Sequence, residues 1–459
     1  MNDSTNPLRG RRALAAGAGL TALALVIGGC AGAGGGGGGG ANGGGESINV
    51  LMVGNPQMED IQSLTADNFT KSSGVKVNFT ILPENELRDK VTQDVATQGG
   101  QYDVVTIGAY EAKIWAGNGW LHEVDSYADK DAAYDKADLL PPMVKSLQGD
   151  DGKLYAAPFY GESSFLMYRK DLFDAAGLKM PDHPTWAQVA TFAKQLDTKN
   201  QVGICLRGLP GWGELFAPLT TVVNTYGGTW FTKDWKAQVN SPEFTAATKF
   251  YVDLIRNHGE DGAAQAGFTE CLNTFGQGKA AMWYDATSAA GLLEDAKTSK
   301  VAGKVGYVRA PVEKTKSSGW LWTWAFAMPK TTKKADAAWK FMSWATSKDY
   351  EKLVGEKLGW SRVPSGKRAS TYELPEYMAS AKAFGPVTLA SIQEADPANP
   401  GVQERPTVGI QFVPIPEFAD LGTKVSQEVS AAIAGKTTVD KALADGQKQA
   451  EQVASKYPK

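Results

Sequence analysis

From residue 46 onward the apolar residues change period repeatedly, between two and about 3.6, and few architectures tolerate that alternation. Ile48 to Val53 reads as a strand, and Met58 to Lys71 as a helix with Ile61, Leu64 and Phe69 turned inward and Gly74 at its end. Val75, Val77, Phe79 and Ile81 alternate as a second strand; Leu87, Val91 and Val95 mark the next helix, and Tyr102 to Ile107 a third strand. The order βαβαβ predicts a parallel sheet wrapped by helices. Such sheets bind ligands at the carboxyl ends of their strands, here the loops at Asn55 and at Gly108-Ala109-Tyr110-Glu111.

The style repeats further on. Thr185 is placed to cap a helix carrying Trp186 and Val189, Gln201 to Leu206 reads as a strand, and Ser241-Pro242-Glu243 opens a long helix through Ile255. Phe275-Gly276-Gln277-Gly278-Lys279 leads into a strand from Ala280 to Tyr284, followed by a helix near Leu292, a strand near Val305 and a tryptophan-rich strand around Trp320. Two α/β lobes, with a chain crossing between them more than once, fit this order.

Before residue 46 the sequence describes an address. Arg9, Arg11 and Arg12 form a cationic stretch, Ala13 to Ile27 a short apolar one, and small residues lead to Cys30. An apolar run this short falls below the about 20 residues that span a bilayer. The pattern predicts a signal peptide over 1–29 and a lipidated Cys30; an ordinary secretory signal with an incidental cysteine is the alternative. Arg11-Arg12 also permits twin-arginine export. Residues 30–45 are almost pure glycine after the cysteine, a flexible tether whose reach is roughly 20 Å for about 15 residues.

Loss of residues 1–29 removes Asp3 and three arginines, so 47 basic and 50 acidic residues become 44 and 49, a net charge near −5. With no basic block, this charge argues against a nucleic-acid partner. Hydrophobic residues make up 42% of the chain, ample for cores within roughly 410 folded residues, and no second long apolar run follows the signal. Once Cys30 is set aside, Cys205 and Cys271 remain, either bridged as export allows or buried as free thiols. His122, His183 and His258 lie far apart without metal-ligand spacing.

The run Asp151-Gly152-Lys153-Leu154-Tyr155-Ala156-Ala157-Pro158-Phe159-Tyr160, then Tyr168-Arg169-Lys170-Asp171-Leu172-Phe173 and Ala175-Ala176-Gly177-Leu178, resembles the carbohydrate-binding receptors of ABC importers. The likeness continues at Pro184-Thr185-Trp186, at Gly278-Lys279-Ala280-Ala281-Met282-Trp283 and through Asp336 to Trp344. Within that family the chain is similar to the polyol branch, the sorbitol and mannitol receptors. That narrower likeness rests on the run from Gly203 to Gly213, on Trp283-Tyr284-Asp285-Ala286-Thr287 and on Trp320-Leu321-Trp322-Thr323-Trp324.

The resemblance implies a two-lobed clam of the periplasmic-binding-protein type, each lobe a mixed, mainly parallel sheet flanked by helices, joined by a hinge of two or three crossovers. Its expected boundaries are 46–157 with about 286–328 for the N-terminal lobe, and 158–285 with about 329–459 for the C-terminal lobe. Ligand held between the lobes favours a closed state that docks on a membrane permease. The implied partners are a polyol or small sugar, the permease subunits, and the outer face of the membrane through the lipid alone. A monomer is expected, without cofactor or metal.

The residue types suit a polyol by themselves. Its hydroxyls both donate and accept, its C–H faces are apolar, and planar polar side chains with aromatics serve both. Trp212, between Gly211 and Gly213, is expected to stack on ligand, with core packing as the alternative. Arg207 either grips hydroxyls or makes an interlobe salt bridge. Tyr160 and Glu162 fall where the family's chain first crosses between lobes. Asp285 is both a hydroxyl acceptor by the resemblance and a helix cap by position. Trp320, Trp322 and Trp324 alternate, so a buried core face is the default, with at most one or two of them, Trp320 and Trp322, expected to touch ligand. Tyr110 and Glu111 are expected to complete the first wall, with Arg362 and Gln411 as further candidates.

An enzyme on the same scaffold would use Glu162 and Asp285 as the two carboxylates of a glycosidase, about 5 to 10 Å apart. No nucleophile elbow, phosphate loop or metal motif accompanies them. A receptor for a mono- or disaccharide, a peptide, a metal or a siderophore is the remaining alternative.

Overall fold

The computed structural model describes residues 46–458, so the expected signal peptide, Cys30 and the glycine tether lie outside the described residues. The eight strands are β1 (Ser47–Val53), β2 (Lys76–Leu82), β3 (Val104–Gly108), β4 (Ala157–Glu162), β5 (Ser164–Arg169), β6 (Met282–Ala286), β7 (Val305–Arg309) and β8 (Trp322–Ala327). They form two open sheets, one in the order β2-β1-β3-β8-β4 and the other β6-β5-β7, each covered by helices. The protein is a two-lobed α/β molecule.

The first three strands follow the periodicity. β1 pairs in parallel with β2 and with β3, because helices carry the chain back between them. The first of these helices, Pro56–Thr65, starts on Asn55, whose side chain accepts from the Met58 amide, and it continues through a π-turn at Ala66–Thr70 to Gly74. Gly74 has φ +73°, which an L side chain rarely adopts, so glycine ends the helix. Two expected caps also form: Thr185 accepts from Gln188, and Ser241 from Phe244 ahead of the Pro242–His258 helix.

Other expectations require correction. Parallel pairing does not extend to the second sheet, where β5 is antiparallel to both neighbours, nor to β8, which is antiparallel to β3 and β4. Gln201 to Leu206 is no ladder strand; it touches the sheet through bridges at Val202 and Cys205 only. Gly203 there lies so close to the Ala193 carbonyl that a Cβ would clash, and the chain is pressed onto a helix instead.

Sheet membership alternates along the chain. Within 286–328, β7 belongs to the second sheet and only β8 to the first; β4, beyond residue 157, pairs in the first. Within 329–459, the Ala335–Ala345 helix packs Phe341 on Phe69, Phe79 and Phe326 of the first lobe. Local apolar pattern states that a face is buried, not which sheet buries it. The chain first changes sheet at Ser163, the single residue between β4 and β5. Its backbone is tied to Thr287 by Ser163 N donating to Thr287 Oγ1 and Thr287 N donating to Ser163 O.

Candidate functional site

Between the two sheets lies a cavity of about 520 Å³, within the range of small-molecule sites. Its first-lobe wall comes from the loop after β1, the start of the Glu84–Ala96 helix, and the strand ends at Tyr160, Glu162, Trp322 and Trp324. The opposite wall is built from Arg207, Glu214, Phe268 and the turn after β6, with Gln411 and Phe412 closing one side.

Arg207 leaves the chain just after the Cys205 bridge to β6, which sets its side chain beside Asp285. Arg207 Nε and Nη2 donate to the two oxygens of Asp285 at 2.8 and 2.5 Å, and Nη1 donates to Glu214 Oε2 at 3.2 Å. Asp285 also accepts from the Trp283 indole and the Ala286 amide, so both of its oxygens are committed. It is fully buried and does not line the cavity; its task is to hold Arg207 flat against the cleft.

A second buried web lies across the cleft. Arg88 donates through Nε and Nη2 to Glu84 Oε1 and through Nη1 to Glu111 Oε1, while Glu111 Oε2 accepts from the Gly108 amide. The guanidinium sits 4.1, 4.8 and 5.3 Å from the ring centres of Trp212, Trp324 and Trp322. Each such contact is worth about 0.5 to 2 kcal/mol, more when dry.

Trp212 does not line the cavity. Its indole fills a box made by Arg88, Tyr110, Trp322 and Phe412, with ring centres of Tyr110 and Phe412 at 4.6 and 4.8 Å. The indole is packed, as in the alternative to stacking on ligand, and the packing crosses between lobes. Tyr110 Oη donates to the Ile415 carbonyl and accepts from Ala419, and Asn85 Nδ2 donates to the Pro210 carbonyl, reinforcing the same seam.

Arg362 and Glu111 likewise stand away from the cavity. Arg362 pairs with both oxygens of Asp60 at 2.7 and 3.0 Å and with Asp295 at 3.3 Å, tying the first helix to the chain beyond β6. Of the eleven residues expected at the site, Tyr160, Glu162, Arg207, Trp320, Trp322 and Gln411 line the cavity, as Trp324 does; Tyr110, Glu111, Trp212, Asp285 and Arg362 support it from behind. Asn55, Glu84, Arg88, Glu214 and Ser288 line it and were not anticipated, apart from the loop at Asn55.

Several lining groups are left with open valences. Glu162 accepts from Ser288 Oγ at 2.6 Å, and burial pushes its pKa up to about 8; Glu214 is also raised to about 8, by burial first and then by the nearby Glu84. Trp320 Nε1 and Gln411 Oε1 are buried without a partner among the described residues. Unsatisfied buried polar groups are uncommon, and these two stand on side chains beside the cavity, where the open oxygens of Glu162 and Glu214 are the groups a ligand's hydroxyls would bond.

Cys205 and Cys271 form a disulfide with Cα atoms 5.7 Å apart, joining the segment before Arg207 to the Phe268–Gly276 helix. Glu260 lies beside the sulfurs, but two sulfurs bonded to each other offer no thiolate to a metal.

A sequence profile described as "Bacterial extracellular solute-binding protein" matches residues 55–352, more than half of the chain. The mannitol-binding protein of Pseudomonas aeruginosa is 42% identical over 421 residues, 91% of this chain and 95% of that protein. A solute-binding protein from Agrobacterium vitis, solved with bound D-mannitol, superposes with a TM-score of 0.88 at 50% identity, covering 90% of this chain and 100% of that one. A relative from Agrobacterium radiobacter in complex with ribitol gives a TM-score of 0.79 at 26% identity over 89% and 99% of the two chains. Members of this family are binding proteins of ABC transporters, acting outside the cytoplasm. The chain belongs to the bacterial extracellular solute-binding protein family.

Proposed function

We propose that this protein captures a linear polyol between its two lobes, delivers it to the permease of an ABC importer, and does no covalent chemistry. One observation carries the reading. The cavity combines buried carboxyls and guanidiniums with the indoles of Trp320, Trp322 and Trp324, the groups that meet hydroxyls and C–H faces respectively. Similarity to the mannitol-binding protein and to the mannitol and ribitol complexes supports the same class of ligand. The glycosidase alternative is disfavoured because Asp285 presents no uncommitted oxygen to the cavity.

In this reading Glu162, Arg207, Gln411, Tyr160, Asn55 and Glu84 bond the hydroxyls, and the tryptophans cover the carbon chain. The crossovers, starting at Ser163, form the hinge. Cys30 carries the lipid, residues 31–45 form the tether, and the folded part works as a monomer close to the outer face of the membrane. Thermal denaturation with D-mannitol, D-sorbitol, ribitol and maltose tests the ligand class. A ligand at a hundred times its Kd adds about 2.7 kcal/mol of stability. Stabilisation by the alditols and not by maltose is expected; no shift with any alditol overturns the reading.

A further inference from the structure

Two carboxyls on the cavity wall, Glu162 and Glu214, lack the close cation that the other buried carboxylates of the site have. Arg207 is matched by Asp285 through two hydrogen bonds, and Arg88 by Glu84 and Glu111. Glu162 has no cation bound to it, its one bond comes from Ser288, and its Oε1 has no partner among the described residues. Glu214 receives only the longer, third arm of Arg207 and the Phe268 amide, both on Oε2. Gln411 lines the same cavity, with its Oε1 buried and unpartnered among the described residues. Donors stand beside them among the described residues: the Tyr160 hydroxyl, which accepts from Asn55 Nδ2 and keeps its own proton free, the Gln411 amide nitrogen, and the guanidinium protons that Asp285, Glu84 and Glu111 do not use.

A hydroxyl can satisfy either kind of group, but an ammonium carries three donors and no acceptor, whereas a carboxylate or phosphate on the ligand would bring only acceptors. Burial raises the cost of charge at Glu162 and Glu214, and a cation set beside them offsets that cost by restoring their ionised form. An anion brought to the same place meets carboxyls from both walls, and the charge of each guanidinium is already offset by neighbouring carboxylates.

We propose that the cleft selects by charge, taking protonated amino polyols alongside neutral polyols and rejecting polyol acids and polyol phosphates, with Glu162 and Glu214 as the selecting residues. The inference rests on the polyol reading of the site and adds a ligand class to it. Binding releases a proton when the amine's charge draws Glu162 or Glu214 into its carboxylate form.

Isothermal titration of the full chain with D-mannitol, 1-amino-1-deoxy-D-mannitol, D-mannonate and D-mannitol 1-phosphate tests it, run near pH 7 in two buffers of different ionisation enthalpy. The expected result is an amine affinity within roughly tenfold of mannitol or tighter, with protons released on amine binding only, and anions weaker than mannitol by about a hundredfold. In Glu162→Gln or Glu214→Gln the ratio of amine to mannitol affinity falls by roughly tenfold. Mannitol binding without amine binding, anions binding as tightly as mannitol, or an unchanged ratio in both variants overturns the inference and leaves the polyol reading intact. Binding of none of the four overturns both.

Discussion

The indole of Trp212 lies 4.1 Å from the guanidinium of Arg88, and the two belong to different lobes. The loop that carries Trp212 can come this close because of its glycines. A Cβ on Gly213 would lie 2.6 Å from Glu84 Oε1, and one on Gly211, at φ +142°, would lie 2.4 Å from Asn85 Oδ1. The lobes are thus joined partly by protein contacts outside the cavity lining, and such contacts set how much of a ligand's binding energy is spent on bringing the lobes together.

Trp212→Ala is therefore expected to weaken every alditol by a similar factor, roughly tenfold or about 1.4 kcal/mol, because it alters closure and not the ligand's contacts. Titration with mannitol, sorbitol and ribitol checks this, together with small-angle scattering with and without ligand. A change in the order of preference among the three would return Trp212 to the ligand-contacting set.

Gly108 ends β3 beneath Trp322, and a Cβ there would approach the indole to 1.8 Å, well inside contact distance. The backbone is extended at this residue, so the constraint is space and not φ. Gly108→Ala should push Trp322 into the cavity and lower mannitol affinity by roughly tenfold or more. Unchanged affinity would show that the wall relaxes without using the ligand's space.

Where a segment states its own structure, the sequence was readable. The strands β1, β2 and β3, the Asn55 and Gly108 loops, and the Thr185 and Ser241 caps depend on neighbours within a few positions. The nearness of Glu162, Arg207 and Tyr160 to the cavity was legible because they sit next to recognisable motifs. Arg88 and Glu84 were not, since four residues apart on a helix they look like an ordinary surface pair, and burial comes from Trp212, Trp322 and Glu111 far along the chain. The surroundings of Trp212 were not legible for the same reason: its box is assembled from Arg88, Tyr110, Trp322 and Phe412, and no local pattern records that assembly.

Glu162 links the site to pH. Its folded pKa of about 8 exceeds that of an exposed glutamate, so the folded state holds a proton that the unfolded chain gives up. Its contribution is fully present below the unfolded pKa, near 4.3, and is lost as pH rises towards 8. Glu162→Gln keeps the neutral shape, so the melting temperature of the variant relative to the unmutated protein should rise steadily between pH 5 and pH 8.5. A constant difference across that range would mean that Glu162 is ionised in the folded state.

Arg362 was expected at the ligand and instead joins Asp60 and Asp295. Burial raises the pKa of Asp60 while Arg362 opposes the shift. Removing the cation leaves two largely buried carboxylates without a counter-charge, which costs about 3 kcal/mol or more. Arg362→Gln should lower urea-melting stability by roughly that amount, with the folded fraction still binding mannitol. A loss of affinity in fully folded protein would place the guanidinium at the ligand.

The disulfide ties stability to the site. Cys205 and Cys271 are 66 residues apart, and closing a loop of that length limits the unfolded chain by about 4 kcal/mol, or less where the unfolded state keeps structure. Cys205 lies two residues before Arg207, and Cys271 one turn after Phe268, whose ring is 5.3 Å from the Arg207 guanidinium. Replacing both cysteines with alanine should cost about 2 to 4 kcal/mol in denaturant unfolding. It should also weaken mannitol binding, because the two segments that fix Arg207 are no longer held together. Lost stability with unchanged affinity would show that the bond to Asp285 positions Arg207 unaided, whereas loss of both would make the disulfide part of the binding wall.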